Sequence, residues 1–263
     1  MRQYLSQKNL NSDGLLSIIG KDFRYLRNVL RLSSGDMIYV RFPDGELKPM
    51  TVCKISESEK KITLQVCNLS ENEVTEKSGE NQSDFDGKTE FFLFMALPKS
   101  SKFDLIVRQA AECGVSRIIP VQTEFSQPGA EKMNFRSERF DRIVKEARQQ
   151  SGSPVETKIE SCVNLAGAVQ IWKSEAENLD DEKKIAVVLY ERSLSTVTIR
   201  EACEKKHSPQ KIALFCGSEG GLSPQEVKFL SESGFTAVHL KTNILRCETA
   251  ALYGISALQS IVF

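Results

Sequence analysis

The sequence predicts an α/β chain with a small β-rich region in front and a larger domain behind it, in which apolar strands alternate with amphipathic helices around a parallel sheet. Three observations predict this. Up to about Leu69 the apolar residues come in short runs separated by turn-forming residues. Between Glu71 and Lys88 the chain is acidic and rich in Ser, Asn and Gly, with too little apolar surface to offset the entropy of ordering it. From Phe91 onward, wholly apolar runs alternate with segments of helical periodicity. These shifts divide the 263 residues into a domain over 1–70, a linker over 71–89 and a second domain over 90–263.

In the front domain the runs Leu15 to Ile19, Met37 to Phe42, Met50 to Ile55 and Ile62 to Val66 read as strands. Ser33-Ser34-Gly35-Asp36 and Pro43-Asp44-Gly45 read as turns. Lys21 to Arg31 departs from the pattern: Phe23, Leu26, Val29 and Leu30 fall at helical spacing while Arg24, Arg27 and Arg31 line another side. A short helix with a basic face follows, either simply solvated or placed against RNA phosphates. The chain as a whole carries 35 basic and 35 acidic residues, so composition alone does not announce a nucleic-acid binder. The balance is uneven, with eleven Lys/Arg against seven Asp/Glu up to Ser70, and the basic excess therefore sits at the front.

Behind the linker, Phe91 to Leu97 reads as a strand, followed by a helix in which Phe103, Ile106, Val107 and Ala110 share a face. Ile118 to Val121 is the next strand, and the helix from Ser137 repeats the pattern with Phe140, Ile143, Val144 and Ala147. Ile185 to Tyr190 and the segment Ser195 to Lys206 supply a further strand and helix. A run apolar throughout, such as Ile185 to Leu189, suits a parallel sheet covered on both faces.

Seven cysteines are scattered without a Cys-x-x-Cys pair, which fits a reducing compartment. The N-terminus has no apolar signal core, and no stretch approaches the roughly 20 apolar residues of a membrane span, so a cytoplasmic protein is expected. With only His207 and His239 and no zinc-finger spacing, no metal is expected.

The chemistry concentrates near the C-terminus. Ile212 to Phe215 forms a strand that runs into Cys216-Gly217-Ser218-Glu219-Gly220-Gly221-Leu222-Ser223. Glycines there allow positive φ and close approach to a ligand, and open α/β sheets bind ligands beyond the carboxyl ends of their strands. Ser223-Pro224-Gln225-Glu226 then predicts an N-cap, a proline at the first helical position and a capping box. Neither the dinucleotide nor the phosphate-loop fingerprint is present, so the loop alone admits both a ligand cradle and a plain tight turn. The strand Phe235 to Leu240 opens into Lys241 to Ala250, ahead of an apolar helix with Ala251, Leu252, Ile255, Leu258 and Ile261. If the two strands are neighbours, the two loops lie side by side. Arg246 is then either a surface ion-pair partner or a site cation, and Glu248 and Thr249 either cap the last helix or face a ligand.

Gly217-Ser218-Glu219-Gly220-Gly221 together with Ile244-Leu245-Arg246-Cys247-Glu248-Thr249-Ala250 resembles the paired C-terminal motifs of the 16S ribosomal-RNA uridine-N3 methyltransferases, a SPOUT family. Ala96-Leu97-Pro98-Lys99, Ala110 to Val115 with Ile119-Pro120, Glu146 to Ser151, and Tyr25 to Arg31 with Gly35-Asp36 match the same family in order, so the resemblance covers nearly the whole chain. This chain departs from the family with Ser218 in place of a usual proline, Lys241 in place of a common glycine, Asn243 in place of arginine and Arg24 in place of a frequent histidine.

The resemblance implies a small N-terminal PUA-like β-barrel and a SPOUT domain with a trefoil knot, assembled as a homodimer. It implies S-adenosyl-L-methionine as cofactor, held by Leu189 and Tyr190, by Cys216, Gly217, Gly220 and Gly221, and by Leu240, Ile244, Leu245, Thr249 and Ala250. The partner is 16S ribosomal RNA or the small ribosomal subunit, contacted through Arg24, Arg27 and Arg31. Because uridine N3 carries a proton, a cation beside the flanking carbonyls helps, and Arg246 is the candidate. Glu248 or Glu219 is either the proton acceptor or purely positional. The competing functions are methylation of a ribose 2′-hydroxyl on the same fold, and a non-catalytic RNA-binding or ribosome-assembly role.

Overall fold

The computed structural model describes residues 3–67, 89–135, 137–191, 197–206 and 208–262. All of the expected linker but Thr89 lies outside these residues. The chain separates into two compact units, 1–82 with 149–152, and 83–148 with 153–263.

The first unit is a five-stranded sheet in the order β1 (Gln3–Leu5), β3 (Met37–Arg41), β4 (Leu47–Ser56), β5 (Lys61–Val66), β2 (Leu15–Ile19). β1 runs parallel to β3, the other pairings are antiparallel, and β4 carries a register shift between Val52 and Lys54. A bulge at such a point bends the strand and lets a small sheet curl over its own core. That core holds Leu16, Leu26, Val40, Met50, Val52, Ile62 and Leu64, all buried. The predicted basic-faced helix is built differently from the expectation. An α-turn, α1 (Gly20–Arg24), passes into a π-helix over Tyr25–Val29, with the Leu30 amide donating to the Tyr25 carbonyl five residues back at 3.0 Å. The wider turn rotates later side chains off the 3.6-residue stripe. Val29 is consequently 63% exposed, and Arg27 folds back to pair with Glu57 at 2.9 Å and to donate to the Leu32 carbonyl. Arg24 and Arg31 stay exposed, Arg31 with a left-handed backbone at φ 58.

In the second unit the sheet order is β11 (Val197–Thr198), β13 (Thr236–His239), β10 (Lys184–Leu189), β12 (Lys211–Cys216), β6 (Glu90–Ala96), β7 (Arg117–Gln122), β8 (Lys158–Ile159), with β9 (Val163–Asn164) also on β7. Every pairing is parallel. Successive side chains of a strand point to opposite faces, and both faces are covered. Phe91, Leu93 and Met95 meet one core with Phe103, Phe140 and Leu258, from α2 (Ser100–Glu112), α3 (Glu138–Ser151) and α7 (Cys247–Val262). Phe92, Phe94 and Ala96 meet the other, with Trp172 of α4 (Leu165–Ala176) and Leu230 of α6 (Pro224–Glu232). A short helix, α5 (Ile199–Cys203), follows β11. Phe94 stacks on Phe215 with ring centroids 6.1 Å apart, and Phe235 meets both edge-on. Such pairs add about 0.5–1.5 kcal/mol each beyond area burial.

Two details differ from the sequence reading. β12 and β13 are not neighbours, because β10 pairs with both. The last helix begins at Cys247, so Glu248 and Thr249 belong to its first turn. Among the described residues no helix is long and apolar enough to cross a membrane.

At the amino ends of the central strands, Glu175 of α4 accepts from Lys211 at 2.6 Å and from Arg117 at 2.5 Å. Arg117 also pairs with Glu160 and Lys211 with Glu90, and both cations lie over the Phe92 ring. The two cations, Lys211 foremost, hold the Glu175 carboxyl below the usual glutamate range despite partial burial. A depressed pKa stabilises the fold fully above an unfolded glutamate's value of about 4.3, and the gain is lost as pH falls through the folded value. Glu175→Ala is therefore expected to cost about 1 kcal/mol at pH 7, measured by urea unfolding, with the gap to wild type closing in acid.

Candidate active site

The Gly-rich turn after β12 is shaped by close backbone contact. Ser218 and Gly221 form an antiparallel bridge, the Gly221 amide donates to the Ser218 carbonyl at 3.0 Å, and Gly221 has φ +73. A Cβ on Gly217 would lie 2.7 Å from the Gly221 carbonyl carbon, and one on Gly220 2.7 Å from Phe125 Cβ. Neither position has room for a side chain. The turn is also fastened from outside. Ser218 Oγ donates to the Phe125 carbonyl at 2.6 Å, and Glu226 Oε1 accepts from the Glu124 amide at 2.8 Å. Its other oxygen accepts from the Ser223 amide at 2.9 Å in the predicted capping box.

Parallel neighbours stand about 4.8 Å apart, so the turn after β12 and the segment after β13 leave the sheet about 10 Å from one another. The end of β10 forms the floor between them, its Tyr190 amide bonded to the Val238 carbonyl at 2.9 Å. The result is a cavity of about 600 Å³, within the range of small-molecule sites. Of the residues singled out in the sequence, Leu189, Tyr190, Cys216, Gly217, Glu219, Gly220, Gly221, Leu240, Ile244, Leu245, Arg246 and Ala250 all line it. Thr249 is exposed on α7 and Glu248 stands just behind the lining. Arg24, Arg27 and Arg31 belong to the other unit. The lining also includes Lys102, Glu191, Ser218, His239, Thr242, Asn243 and Cys247. Most of these sit inside the segments already marked, whereas Lys102 is brought in by α2 from far away in sequence and no local pattern flags it.

Charge at the cavity is organised around that lysine. Lys102 Nζ stands 3.4 Å from Glu219 Oε1 and 3.4 Å from Glu248 Oε2, and Glu219 Oε1 also accepts from the Lys99 amide at 3.2 Å. Partial burial opposes ionisation of Glu248. Its own backbone amide, the Cys247 thiol at 3.3 Å and Lys102 outweigh that and hold the carboxyl below its ordinary range. Burial pushes the Cys247 thiol up to about 12, helped by its bond to Glu248 and the charge on Glu219, and burial likewise raises the Cys216 thiol. Both thiols are therefore neutral in the physiological range. Arg246 is exposed, and among the described residues its guanidinium has no hydrogen-bond or ion-pair partner.

The residues present fit S-adenosyl-L-methionine. The glycines let the turn close tightly on its own backbone, so that Gly217, Gly220 and Gly221 line the cavity without side chains. Tyr190 Oη and His239 Nδ1 are buried at the cavity with no hydrogen-bond partner among the described residues, and unpaired buried polar atoms are costly unless a ligand or water satisfies them. Among the described residues no three His, Cys, Asp or Glu side chains stand close enough to hold a metal ion.

Gly217→Ala should force the turn apart, because its methyl meets backbone rather than a movable side chain. Titration calorimetry is expected to show S-adenosylmethionine affinity reduced at least tenfold, about 1.4 kcal/mol, while circular dichroism at 25 °C stays that of a folded protein. Undiminished affinity would remove the turn from the binding site.

Comparison with known proteins agrees with this geometry. Residues 86–259 match the RNA methyltransferase domain. The chain is 26% identical over 265 residues to ribosomal RNA small subunit methyltransferase E 2 of Borreliella burgdorferi, covering 100% of this chain and 98% of that one. It is 28% identical over 261 residues to ribosomal RNA small subunit methyltransferase E of Bacillus subtilis, covering 97% and 93%. In three dimensions it is similar to a ribosomal RNA small subunit methyltransferase E from Neisseria gonorrhoeae solved bound to S-adenosyl methionine, with a TM-score of 0.71, 22% identity, and coverage of 100% of this chain and 98% of that one. At that identity the likeness speaks for the fold. Since the matched span takes in all three strand ends that enclose the cavity, the chain belongs to the RNA methyltransferase domain family.

Proposed function

We propose that this enzyme methylates N3 of a uridine in 16S ribosomal RNA, free or within the small ribosomal subunit, using S-adenosyl-L-methionine. The observation that carries the reading is a guanidinium, Arg246, that has no partner among the described residues and lines a glycine-cradled cavity. The relatives named for small-subunit ribosomal RNA methylation, matched along nearly their whole length, supply the substrate class. When bound, the cofactor offers an electrophilic methyl group on a sulfonium. Uridine N3 must lose its proton, here to solvent water, as it takes that group, and negative charge spreads over the flanking carbonyl oxygens. Arg246 stabilises that charge, a donor placed where charge develops. Glu248, held ionised and bonded to Lys102 and Cys247, is a weak base, and we assign it and Glu219 positional roles. The cradle and the β10 end hold donor and acceptor in line. A paired uridine hides N3, so the target base is splayed from its helix.

The same reading makes residues 1–70 an RNA-docking PUA-like barrel, 71–89 a joining segment and 90–263 the SPOUT domain, in a cytosolic homodimer. The curled five-stranded sheet is in keeping with the barrel. The knot is supported by the strand order. β13 lies between β10 and β11, which are consecutive strands in the chain, and α7 packs against both α2 and α5. Arg24 and Arg31 are the residues that meet phosphates, with Arg27 bracing Glu57 instead.

Incubating the protein with labelled S-adenosylmethionine and unmodified small-subunit RNA or particles, then digesting to nucleosides, is expected to give labelled 3-methyluridine. A label on ribose would mean 2′-hydroxyl chemistry, and no cofactor binding would mean a non-catalytic RNA binder. Arg246→Ala should lower kcat on the order of 10²–10³-fold with cofactor affinity kept. Replacing Arg24 and Arg31 by alanine should weaken RNA binding and flatten its salt dependence, by about 0.9 in log–log slope for each phosphate no longer neutralised. An unchanged slope would take that helix out of the interface.

A further inference from the structure

Lys102 is bound into the site in a way that no local motif announces. It stands in the first turn of α2, yet its ammonium lies 3.4 Å from a carboxylate oxygen of Glu219, on the turn after β12, and 3.4 Å from one of Glu248, in the first turn of α7. The two acids come from opposite walls of a cavity whose strands do not pair with each other, and Lys102 itself lines that cavity. One lysine therefore ties the walls together through two partly shielded ion pairs. Arg246, two residues before Glu248 and on the same lining, is left without a partner. Of the carboxylates at the site, Glu219 and Glu248 both pair with Lys102, and among the described residues this pairing leaves the guanidinium without a partner.

We propose that Lys102 is a positioning residue for methyl transfer: by claiming Glu219 and Glu248 it keeps both carboxylates off Arg246 and holds the cavity mouth at its working width. An opposite charge within about 4–6 Å favours the ionised carboxylate, and its removal leaves like charges facing one another. The charged and titratable groups around Glu248 are Lys102 from α2, Glu219 from the Gly-rich turn, Cys216 at the end of β12 and Cys247 from its own segment, with Arg246 two residues before it on the cavity lining. Without the ammonium, the released carboxylates are free to turn toward Arg246 on the same lining, and Glu248 titrates at higher pH than in the intact site.

The test compares full-length Lys102→Met, which keeps the length and loses the charge, with Lys102→Arg, which keeps the charge; Lys102→Gln replaces the former if it does not fold. For the charge-loss variant kcat on the RNA substrate is expected to fall about 10- to 100-fold and the acid limb of the kcat–pH profile to move toward neutral. Lys102→Arg should recover most of the rate and the wild-type limb. Adding Glu219→Gln to Lys102→Met, which removes one freed carboxylate, should restore part of the rate. A wild-type rate and acid limb in the charge-loss variant would overturn the proposal, as would equal impairment of both variants. The proposal rests on the cavity being the methyl-transfer site. Wild-type protein that neither binds S-adenosylmethionine nor methylates the RNA sinks both readings, whereas active wild type with an indifferent charge-loss variant sinks only this one.

Discussion

Gly217 and Gly221 approach so closely that a single methyl group on the first would strike the backbone of the second. The rest of the site depends on that contact. It turns the chain back at the end of β12 within five residues, presents amides rather than side chains to the cavity, and carries Glu219 to the place where Lys102 meets it. Ser218 and Glu226 then bind the turn to the loop after β7, so it is held from both sides. Where the family usually has the stiff ring of proline, the serine hydroxyl supplies a hydrogen bond to the Phe125 carbonyl. Restraint comes here from a tie to a neighbouring loop rather than from a covalent lock on φ.

The two ends of the parallel sheet serve different purposes. At the amino ends, three carboxylates, Glu175, Glu160 and Glu90, share two cations, Arg117 and Lys211, in one network that ties α4 to the adjacent strands. At the carboxyl ends charge is distributed unevenly, with one lysine shared by two carboxylates and an arginine left over. A network in which every charged group is paired adds rigidity, while a site with an unpaired guanidinium among its described residues has a donor to offer an incoming anion or developing oxyanion. This contrast agrees with the rule that open α/β sheets act from the carboxyl ends of their strands.

Much of this was legible in the sequence because the signals were local. Phe91 to Leu97 and Ile185 to Leu189 are apolar on both faces, which only a covered parallel strand needs, and both are such strands. Ser223-Pro224-Gln225-Glu226 announced its capping box through fixed spacing. Three features were not legible. The π-turn at Tyr25–Val29 follows from how Leu26 and Phe23 reach the core, which a 3.6-residue stripe cannot express. α4 has apolar residues around much of its circumference, so periodicity does not mark it. The placing of β10 between β12 and β13, and with it the width of the cavity, is a property of strand order that no window of sequence contains.

Strand order also decides when the cavity comes into being. β13 is inserted between β10 and β11, two strands made earlier in synthesis, and the wall from Leu240 to Ala250 follows it immediately before the terminal helix. Chains emerge and fold from the amino end, and contacts between distant segments form late because the intervening loop must first be closed. A growing polypeptide thus carries the sheet with a vacant slot until β13 is released. The site therefore closes after most of the sheet has been made, and a chain cut short before β13 would keep most of the sheet strands yet lack the wall from Leu240 to Ala250.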